Sequence, residues 1–235
     1  IYTEESNRAI LQELLPEAVM TTYSQDETES FEELPDLLEW ADVLCIGCGL
    51  GMGPHSEELL KKVLENNKKP AVIDADGLNL LAKTGEWGIG QIRMNPSGYV
   101  LTPHMKEMSR LTGYSVQELK DNRRELLRKY TEKVHAVCVL KDSRTLMKAP
   151  EGRLMINTTG NAAMAKAGSG DVLAGMITGL MAQHLRPDDA AVLGVYLHGL
   201  CGDHARKELG SYSVLAGDLL KMLGRTLKEL EDMTE

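Results

Sequence analysis

The sequence predicts a layered α/β fold with a mostly parallel central sheet flanked by helices. Short apolar runs alternate with longer amphipathic runs over most of the 235 residues. The apolar runs at 42–49 and 70–76 are continuous, as expected for parallel strands that are buried on both faces. Both lead into glycine or aspartate, which favour a turn before the next helix.

Composition limits the classes of function. Hydrophobic residues make up 43% and charged residues 26% of the chain, as in ordinary globular proteins, and the length fits one domain over 1–235. The net charge of −9 leaves no excess of lysine and arginine, which argues against nucleic-acid and anionic-membrane partners. The sequence contains no apolar window of about 18 residues, and its start has no signal-peptide character. We therefore expect a cytoplasmic protein.

The first half of the chain alternates between predicted helices and strands. They are a helix at 4–14, strands at 18–23 and 42–49, a helix at 56–67, a strand at 70–76 followed by a helix that contains Asn79, and a strand and helix within 99–113. Glycines and Pro96 predict a loop at 84–99. Thr102 is placed to cap the helix after it, with Pro103 at the first helical position.

Four alternating glycines follow the strand at 42–49. Gly47, Gly49, Gly51 and Gly53 fit neither the dinucleotide-binding fingerprint nor a P-loop. They can form a flexible strand-to-helix turn, or they can let a ligand lie against the carboxyl edge of the sheet. Both interpretations stay open on this pattern alone.

Other polar residues also stand near predicted strand ends. Asp74 and Asp76, two residues apart on a strand, would point the same way, as metal ligands or polar anchors often do. His104 lies near the end of a predicted strand, where α/β proteins often bind ligands, although a single histidine can equally be structural.

The four cysteines include one C-x-x-C pair, Cys45 and Cys48. A zinc site would need a second pair or nearby histidines, and Cys138 and Cys201 are solitary. Cys45 lies in an apolar run where a small hydrophobic residue belongs, so we expect the pair to pack in the core.

The stretch 157–184 joins a loop of small residues to a strongly helical run. Gly168, Ser169 and Gly170 can present several backbone N–H groups in one direction, and the helix that begins near Asp171 adds the positive end of its dipole. Asp171 could accept the proton of a hydroxyl that attacks a phosphoryl group held there, or it could simply cap the helix.

The second half of the chain supplies the remaining helices and strands. They are an amphipathic helix at 115–135, two strands joined by the polar turn 141–145, the central helix, a helix that starts at Pro187, and a last helix with a leucine stripe from Leu215 to Leu230. As a hairpin turn, 141–145 needs no function.

Four motifs together carry a family resemblance. They are NTTGNAAMAKAGSGDVLAG, VIDADGLNLLA at 72–82, LTPHMKEMSRLTG at 101–113 and LKDSRT at 140–145. In their order along the chain, these motifs resemble the ADP- or ATP-dependent (S)-NAD(P)H-hydrate dehydratases, which belong to the ribokinase-like superfamily. The resemblance covers nearly the whole chain, and it implies a ribokinase-like fold whose strand-helix-strand region would precede Ile1.

The resemblance also implies a reaction and its residues. A nucleotide would phosphorylate the C6 hydroxyl of hydrated NADH or NADPH, and the phosphate would then leave. Asp171 would be the base and would also contact the substrate. The implied nucleotide site is Lys141, Asp142, Ser143, Arg144, Thr145, Gly168, Ser169 and Gly170, with Asp142 standing where the family usually has glycine. The implied substrate site is Gly49, Leu50, Gly51, Gly53, Asp74, Asn79, His104 and Asn161.

The implied cofactor is Mg²⁺, with no ligand residue assigned, and the implied co-substrate is ADP or ATP. The partners are therefore small molecules, and the resemblance implies a homo-oligomer, with a tetramer as one form. Two other classes stay open. A ribokinase-like kinase of a small alcohol or vitamin precursor would keep its phosphorylated product, and a non-catalytic nucleotide-binding protein would keep only the glycine turns.

Overall fold

The computed structural model describes residues 1–24 and 31–232, which divide into two compact units, Ile1–Trp40 and Ala41–Glu235. The smaller unit contains β1 (Tyr2–Glu4), α1 (Arg8–Leu14), β2 (Thr21–Tyr23) and α2 (Leu34–Trp40). β1 and β2 pair in parallel. The rings of Tyr2 and Tyr23 meet edge to face at 5.0 Å, and the ring of Phe31 lies 5.2 Å from that of Tyr23.

The larger unit has one six-stranded sheet with helices on both faces. Its elements are β3 (Leu44–Ile46), α3 (Pro54–Asn66), β4 (Ala71–Ile73), α4 (Ala75–Met94), β5 (Tyr99–Leu101), α5 (Met105–Thr112), α6 (Val116–Val134), β6 (Val137–Leu140), β7 (Leu146–Lys148), β8 (Leu154–Ile156), α7 (Ser169–Ala182), α8 (Pro187–Leu209) and α9 (Ala216–Asp232). The strands follow sequence order across the sheet, with β3 to β6 parallel and β7 and β8 antiparallel. The predicted layered α/β fold is thus confirmed. In the part of the chain that is described, no helix is both long and apolar enough to cross a membrane.

Alternation along each strand divides the core into two layers. Val72, Val100 and Val139 pack against apolar residues of α7 and α8. Their neighbours Ile73, Leu101 and Leu140 pack on the other face, against α3 to α6. Because successive side chains point to opposite faces of a strand, a continuous apolar run is what a sheet covered on both sides requires.

The strand register brings the candidate residues to one edge of the sheet. Ile46 pairs with Ile73, Ile73 with Leu101, and Leu101 with Cys138. The segments that follow β3 to β6 therefore leave the sheet side by side, and His104 and Lys141 form an additional parallel bridge beyond β5 and β6. This is the carboxyl edge, where open parallel sheets bind their ligands.

Gly47 is needed where β3 meets the start of α4. Its φ is +124°, and a Cβ there would lie 1.8 Å from the carbonyl oxygen of Asp74. Only a residue without a side chain lets the two segments approach this closely.

Three expectations for local structure are wrong. Residues 84–94 continue α4, which changes direction at Gly85 (φ 59°) instead of ending in a loop. Asp74 follows β4 as the N-cap residue of α4 and Asp76 lies in its first turn, so they are not partners on a strand. His104, rather than Thr102, caps α5.

The prediction of a buried strand with core cysteines at 42–49 is also wrong in part. Cys45 and Cys48 are both exposed, and the other residues of β3 are only partly buried. In the sheet of the described residues β3 is the edge strand, so it has a neighbour on one side only.

Candidate active site

Three side chains from separate elements meet at the carboxyl edge of the sheet. A carboxylate oxygen of Asp74, one of Asp171 and the sulfur of Cys48 all lie within 4.8 Å of one another. Asp74 is 1% exposed, whereas Asp171 and Cys48 face solvent. Lys141 Nζ lies 2.6 Å from Asp74 Oδ1 and balances one of the two negative charges. We call Asp74, Asp171 and Lys141 the reaction cluster.

The N-terminus of α7 opens onto this cluster. Gly168 is the N-cap residue with φ 85°, and the helix begins at Ser169, two residues before the predicted start. The amide of Ser169 donates to the carbonyl of Lys166 at 3.3 Å. The first-turn amides of Gly170 and Asp171 have no earlier turn of helix to donate to, so they can bind an anion. A Cβ on Gly170 would lie 3.1 Å from Lys141 Nζ, so glycine lets the ammonium approach the turn.

A cleft of about 960 Å³ opens at the same edge, and we call it the nucleotide cleft. Its walls come from the β6–β7 turn, the segment before α7, and the inner faces of α7 and α8. The lining residues are His104, Lys141, Asp142, Ser143, Arg144, Thr145, Asn157, Thr159, Gly160, Asn161, Ala162, Met164, Ala165, Lys166, Ser169, Gly170, Leu173, Val195, His198 and Gly199. Seven of the eight residues predicted for the nucleotide line it, and Gly168 stands just outside the lining.

The β6–β7 turn is held in place by polar contacts. Arg144 Nη1 donates to the carbonyl of Thr158 at 3.1 Å. Asp142, which replaces the family's usual glycine, pairs with Arg123 of α6 at 3.3 Å and accepts from the amide of Ser143 at 2.8 Å. The departure from the family pattern therefore makes an ion pair at the rim of the cleft.

His104 is fixed by the helix that it caps. Its Nδ1 accepts from the amides of Lys106 and Glu107, each at 3.1 Å, while Glu107 Oε2 accepts from the His104 amide at 2.8 Å. Nε2 lies 3.3 Å from Glu107 Oε1. Burial raises the pKa of Glu107, against the lowering effect of the His104 amide and of Lys141. The imidazole lines the nucleotide cleft with both nitrogens already engaged in the first turn of α5.

Asn161 is similarly held by the protein. Its Oδ1 accepts from the amide of Ala163 at 3.0 Å, and its Nδ2 donates to the carbonyl of Gly202 at 2.9 Å and to Asp203 Oδ1 at 2.8 Å. These contacts fix the loop before α7 against α8, and Asn161 lines the cleft from this position.

The glycine turn and Asn79 lie along a different depression. The amide of Gly51 donates to Asp76 Oδ2 at 3.0 Å, and the carbonyl of Leu50 accepts from Ser56 Oγ at 2.7 Å. Asn79 Oδ1 accepts from Arg110 Nη1 at 2.7 Å and lines a groove of about 500 Å³ that also includes Met52. The structure thus separates the glycine-turn residues Gly49, Leu50, Gly51 and Gly53, together with Asn79, from the lining of the nucleotide cleft.

The C-x-x-C thiols lie beside the reaction cluster. The Cys48 thiol donates a hydrogen bond to Cys45, and this bond lowers the pKa of Cys45 and raises that of Cys48. Burial and the carboxylates of Asp74 and Asp171 raise the pKa of Cys48 further. Cys48 is therefore a neutral thiol next to two carboxylates.

Several residues of the cleft were not predicted from the sequence. Asn157 and Lys166 lie within the motif at 157–175 that carries the family resemblance, so their position gave a signal. His198 lies within α8, where the apolar pattern indicates only packing. Burial lowers the pKa of His198 to about 4, so its imidazole is neutral near pH 7.

The chain matches a known protein family over most of its length. A family model described as NAD(P)H-hydrate dehydratase matches residues 1–225. The bifunctional NAD(P)H-hydrate repair enzyme Nnr of Moorella thermoacetica is 42% identical over 226 residues, which cover 94% of this chain. The chain spans 40% of that relative's length.

Two solved structures share the fold. The ADP/ATP-dependent NAD(P)H-hydrate dehydratase of Bacillus subtilis, co-crystallised with ATP and Mg²⁺, is 31% identical with a TM-score of 0.79, over 97% of this chain and 76% of that one. A ribokinase-like superfamily protein of Enterococcus faecalis is 30% identical with a TM-score of 0.81, over 97% of this chain and 75% of that one. By its fold and by the match over residues 1–225, the chain belongs to the NAD(P)H-hydrate dehydratase family.

Proposed function

We propose that this protein dehydrates the S form of hydrated NADH or NADPH, using ADP or ATP to activate the hydroxyl that leaves. The observation that carries the proposal is the position of Asp171. Its carboxylate is exposed at the N-terminus of α7, within 4.8 Å of Asp74 and beside the nucleotide cleft. A base there can reach both a phosphoryl group held by the helix and a hydroxyl that approaches from the glycine turn.

In the first step the C6 hydroxyl oxygen attacks the terminal phosphorus of the nucleotide. The bond from that phosphorus to the nucleotide's bridging oxygen breaks, and the hydroxyl proton passes to Asp171. The amides of Gly170 and Asp171 and the ammonium of Lys141 stabilise the negative charge on the phosphoryl oxygens. Lys141 also places its positive charge against the buried carboxylate of Asp74, because Nζ and Oδ1 are 2.6 Å apart.

In the second step the C6–O bond breaks. The ring nitrogen supplies the electron pair, inorganic phosphate leaves with the pair of the broken bond, and C5 then gives a proton to that phosphate, which restores the C5–C6 double bond. Hydroxide is a poor leaving group and phosphate a good one, so phosphorylation lowers the barrier to dehydration. The products of the two steps are the dihydronicotinamide, inorganic phosphate and the nucleotide shortened by one phosphate, AMP from ADP or ADP from ATP.

The carboxylates of Asp74 and Asp171 are hard oxygen donors and fit Mg²⁺, whereas the sulfur of Cys48 does not. We propose that the Asp74 carboxylate and the nucleotide phosphates would hold the ion, which leaves Asp171 available to accept the hydroxyl proton. When bound it would neutralise charge on the transferring phosphoryl group. The homo-oligomer, the single domain over 1–235 and the cytoplasmic location stay predictions.

The deciding experiment incubates the protein with prepared hydrate, Mg²⁺ and either ADP or ATP. We expect the near-ultraviolet absorbance of the dihydronicotinamide to recover while inorganic phosphate is released in equal amount. A kinase would consume nucleotide and accumulate a phosphorylated product without this recovery, because C5 and C6 would stay saturated. No recovery with either nucleotide would refute the dehydratase proposal.

A further inference from the structure

A groove beside the glycine turn shares none of its lining residues with the nucleotide cleft. Its inner part, of about 500 Å³, is lined by Met52, Asn79, Ala82, Lys83 and Arg110. Its outer part, of about 440 Å³, also includes Met52 and Lys83. The two parts therefore form one continuous depression, which we call the glycine-turn groove.

The groove contains two cations that make no ion pair with a described residue, although Lys61 and, to a smaller extent, Lys83 lower the pKa of Glu57. Lys83 and Arg110 are both exposed, and neither makes an ion pair with any residue in 1–24 or 31–232. Arg110 Nη1 donates to Asn79 Oδ1 at 2.7 Å, which holds the guanidinium at the wall and leaves its other donors available. A fixed guanidinium near a flexible ammonium is a usual arrangement for binding phosphate.

Acidic residues of the outer part already have partners. Glu57 lies 2.8 Å from Lys61 Nζ, and Glu58 lies 3.7 Å from Lys62 Nζ, both one turn away on α3. The uncompensated charge of the groove is therefore positive, even though the net charge of the whole chain is −9.

The groove leads away from the reaction cluster along two segments. Cys48, beside the cluster, and Met52, in the groove, belong to the same glycine turn. Asp74 caps α4, and Asn79 and Lys83 follow on that helix, about 7 and about 13 Å further along its axis at 1.5 Å per residue. A ligand whose reacting ring lies at Asp171 would thus place groups remote from that ring near Lys83 and Arg110.

We propose that Lys83 and Arg110 bind a phosphate group of the hydrated dinucleotide in the glycine-turn groove. This inference rests on the proposed dehydratase function, and it gives the second substrate a site separate from that of ADP or ATP. The phosphate has two sources. The pyrophosphate is common to hydrated NADH and NADPH, and the ribose 2′-phosphate is present only in the NADPH form.

The test measures KM and kcat for both hydrates with wild type, Arg110→Gln and Lys83→Gln. Lys129→Gln is the matched control, because it removes the same charge from an exposed lysine of α6 that pairs with Glu125 at 2.6 Å and lies outside the lining of the groove. We expect each groove variant to raise the hydrate KM by about tenfold or more, as for loss of a hydrogen bond to a charged group, with the nucleotide KM unchanged. A rise in KM confined to the NADPH hydrate would identify the 2′-phosphate as the bound group. An equal rise in KM for both hydrates would identify the pyrophosphate.

The inference is overturned if both groove variants stay within about twofold of Lys129→Gln in hydrate KM for both hydrates. Wild-type turnover separates this failure from failure of the proposed function, because the absence of turnover would count against the function alone. In that case, calorimetry with NADP⁺ and NAD⁺ still tests whether Lys83 and Arg110 bind a phosphate of the dinucleotide. Affinity that falls in Arg110→Gln and Lys83→Gln supports the phosphate site, and affinity that is absent from wild type or equal in all variants contradicts it.

Discussion

Replacement of Lys141 by methionine tests whether the buried ion pair organises the reaction cluster. Methionine keeps much of the apolar stem but leaves Asp74, which is 1% exposed, without its cation. At the 2.6 Å separation of Nζ and Oδ1, an effective dielectric constant near 20 gives an attraction of about 6 kcal/mol, most of which offsets desolvation of the two charges. Removing one partner of such a pair is expected to lower the free energy of unfolding by about 3–5 kcal/mol.

The assay is thermal and denaturant unfolding of Lys141→Met, Asp74→Asn and the double variant. For a chain of this size we expect the melting temperature of Lys141→Met to fall by roughly 10 °C. The double variant should recover much of this loss, with a coupling energy of about 2 kcal/mol, because a buried amide needs no countercharge. Lys62→Met is the control, since its pair with Glu58 spans 3.7 Å at the surface and should contribute less than about 1 kcal/mol. Equal losses for Lys141→Met and Lys62→Met would refute the reasoning.

Four further predictions concern the cleft and its walls. Asp171→Asn should keep fold and nucleotide binding but reduce turnover by about a hundredfold or more, because the amide cannot accept the proton; kcat close to wild type would contradict its role as base. Thr145→Ala should weaken nucleotide binding more than hydrate binding, and calorimetry showing equal effects would count against this wall of the nucleotide site. His104→Ala should destabilise α5 by about 1 kcal/mol, whereas His104→Asn should keep the cap; if His104→Asn still lowers activity on hydrate, the imidazole acts on the ligand as well as on the helix. Burial raises the pKa of Glu107 above 4.5, so the protonated side chain stabilises the fold fully below pH 4.5, and this stabilisation is lost as pH rises through the raised pKa. The melting temperature of Glu107→Gln relative to wild type should therefore rise between about pH 4 and about pH 7. A difference in melting temperature that stays constant over this range would contradict the expected direction.

The carboxyl edge of the sheet could be predicted because strand ends are visible in the sequence. Asp74, His104 and Lys141 each follow shortly after an apolar run, and parallel pairing brings the ends of such runs together. The turn before α7 was equally readable, since Gly168 takes the positive φ that glycine favours. The assignment of the nucleotide to residues 141–145, Ser169 and Gly170, which line the cleft, came from the family resemblance rather than from these local patterns.

Other features depend on contacts between distant segments. The helix α4 passes through Gly85 and Gly90, which favour a loop by local preference, because its second half buries Ile89 and Ile92 in the core. Thr102 has the better capping side chain, but His104 takes that place because the strand extends to Leu101 and Glu107 completes the capping box. Local propensity identified these segments, and tertiary packing set their limits.

The exposure of Cys45 follows from strand order, which composition does not encode. The similar apolar run of β4 is fully buried, whereas Cys45 of β3 is exposed, because β3 has a single neighbour in the sheet of the described residues. The same position puts Cys48 next to Asp74 and Asp171, where the thiol's raised pKa keeps it uncharged. A neutral group there adds no third negative charge, so Lys141 and the N-terminus of α7 can still attract a phosphoryl group to Asp171. The carboxyl edge of the sheet can therefore bind a phosphoryl group because the Cys48 thiol stays protonated and uncharged.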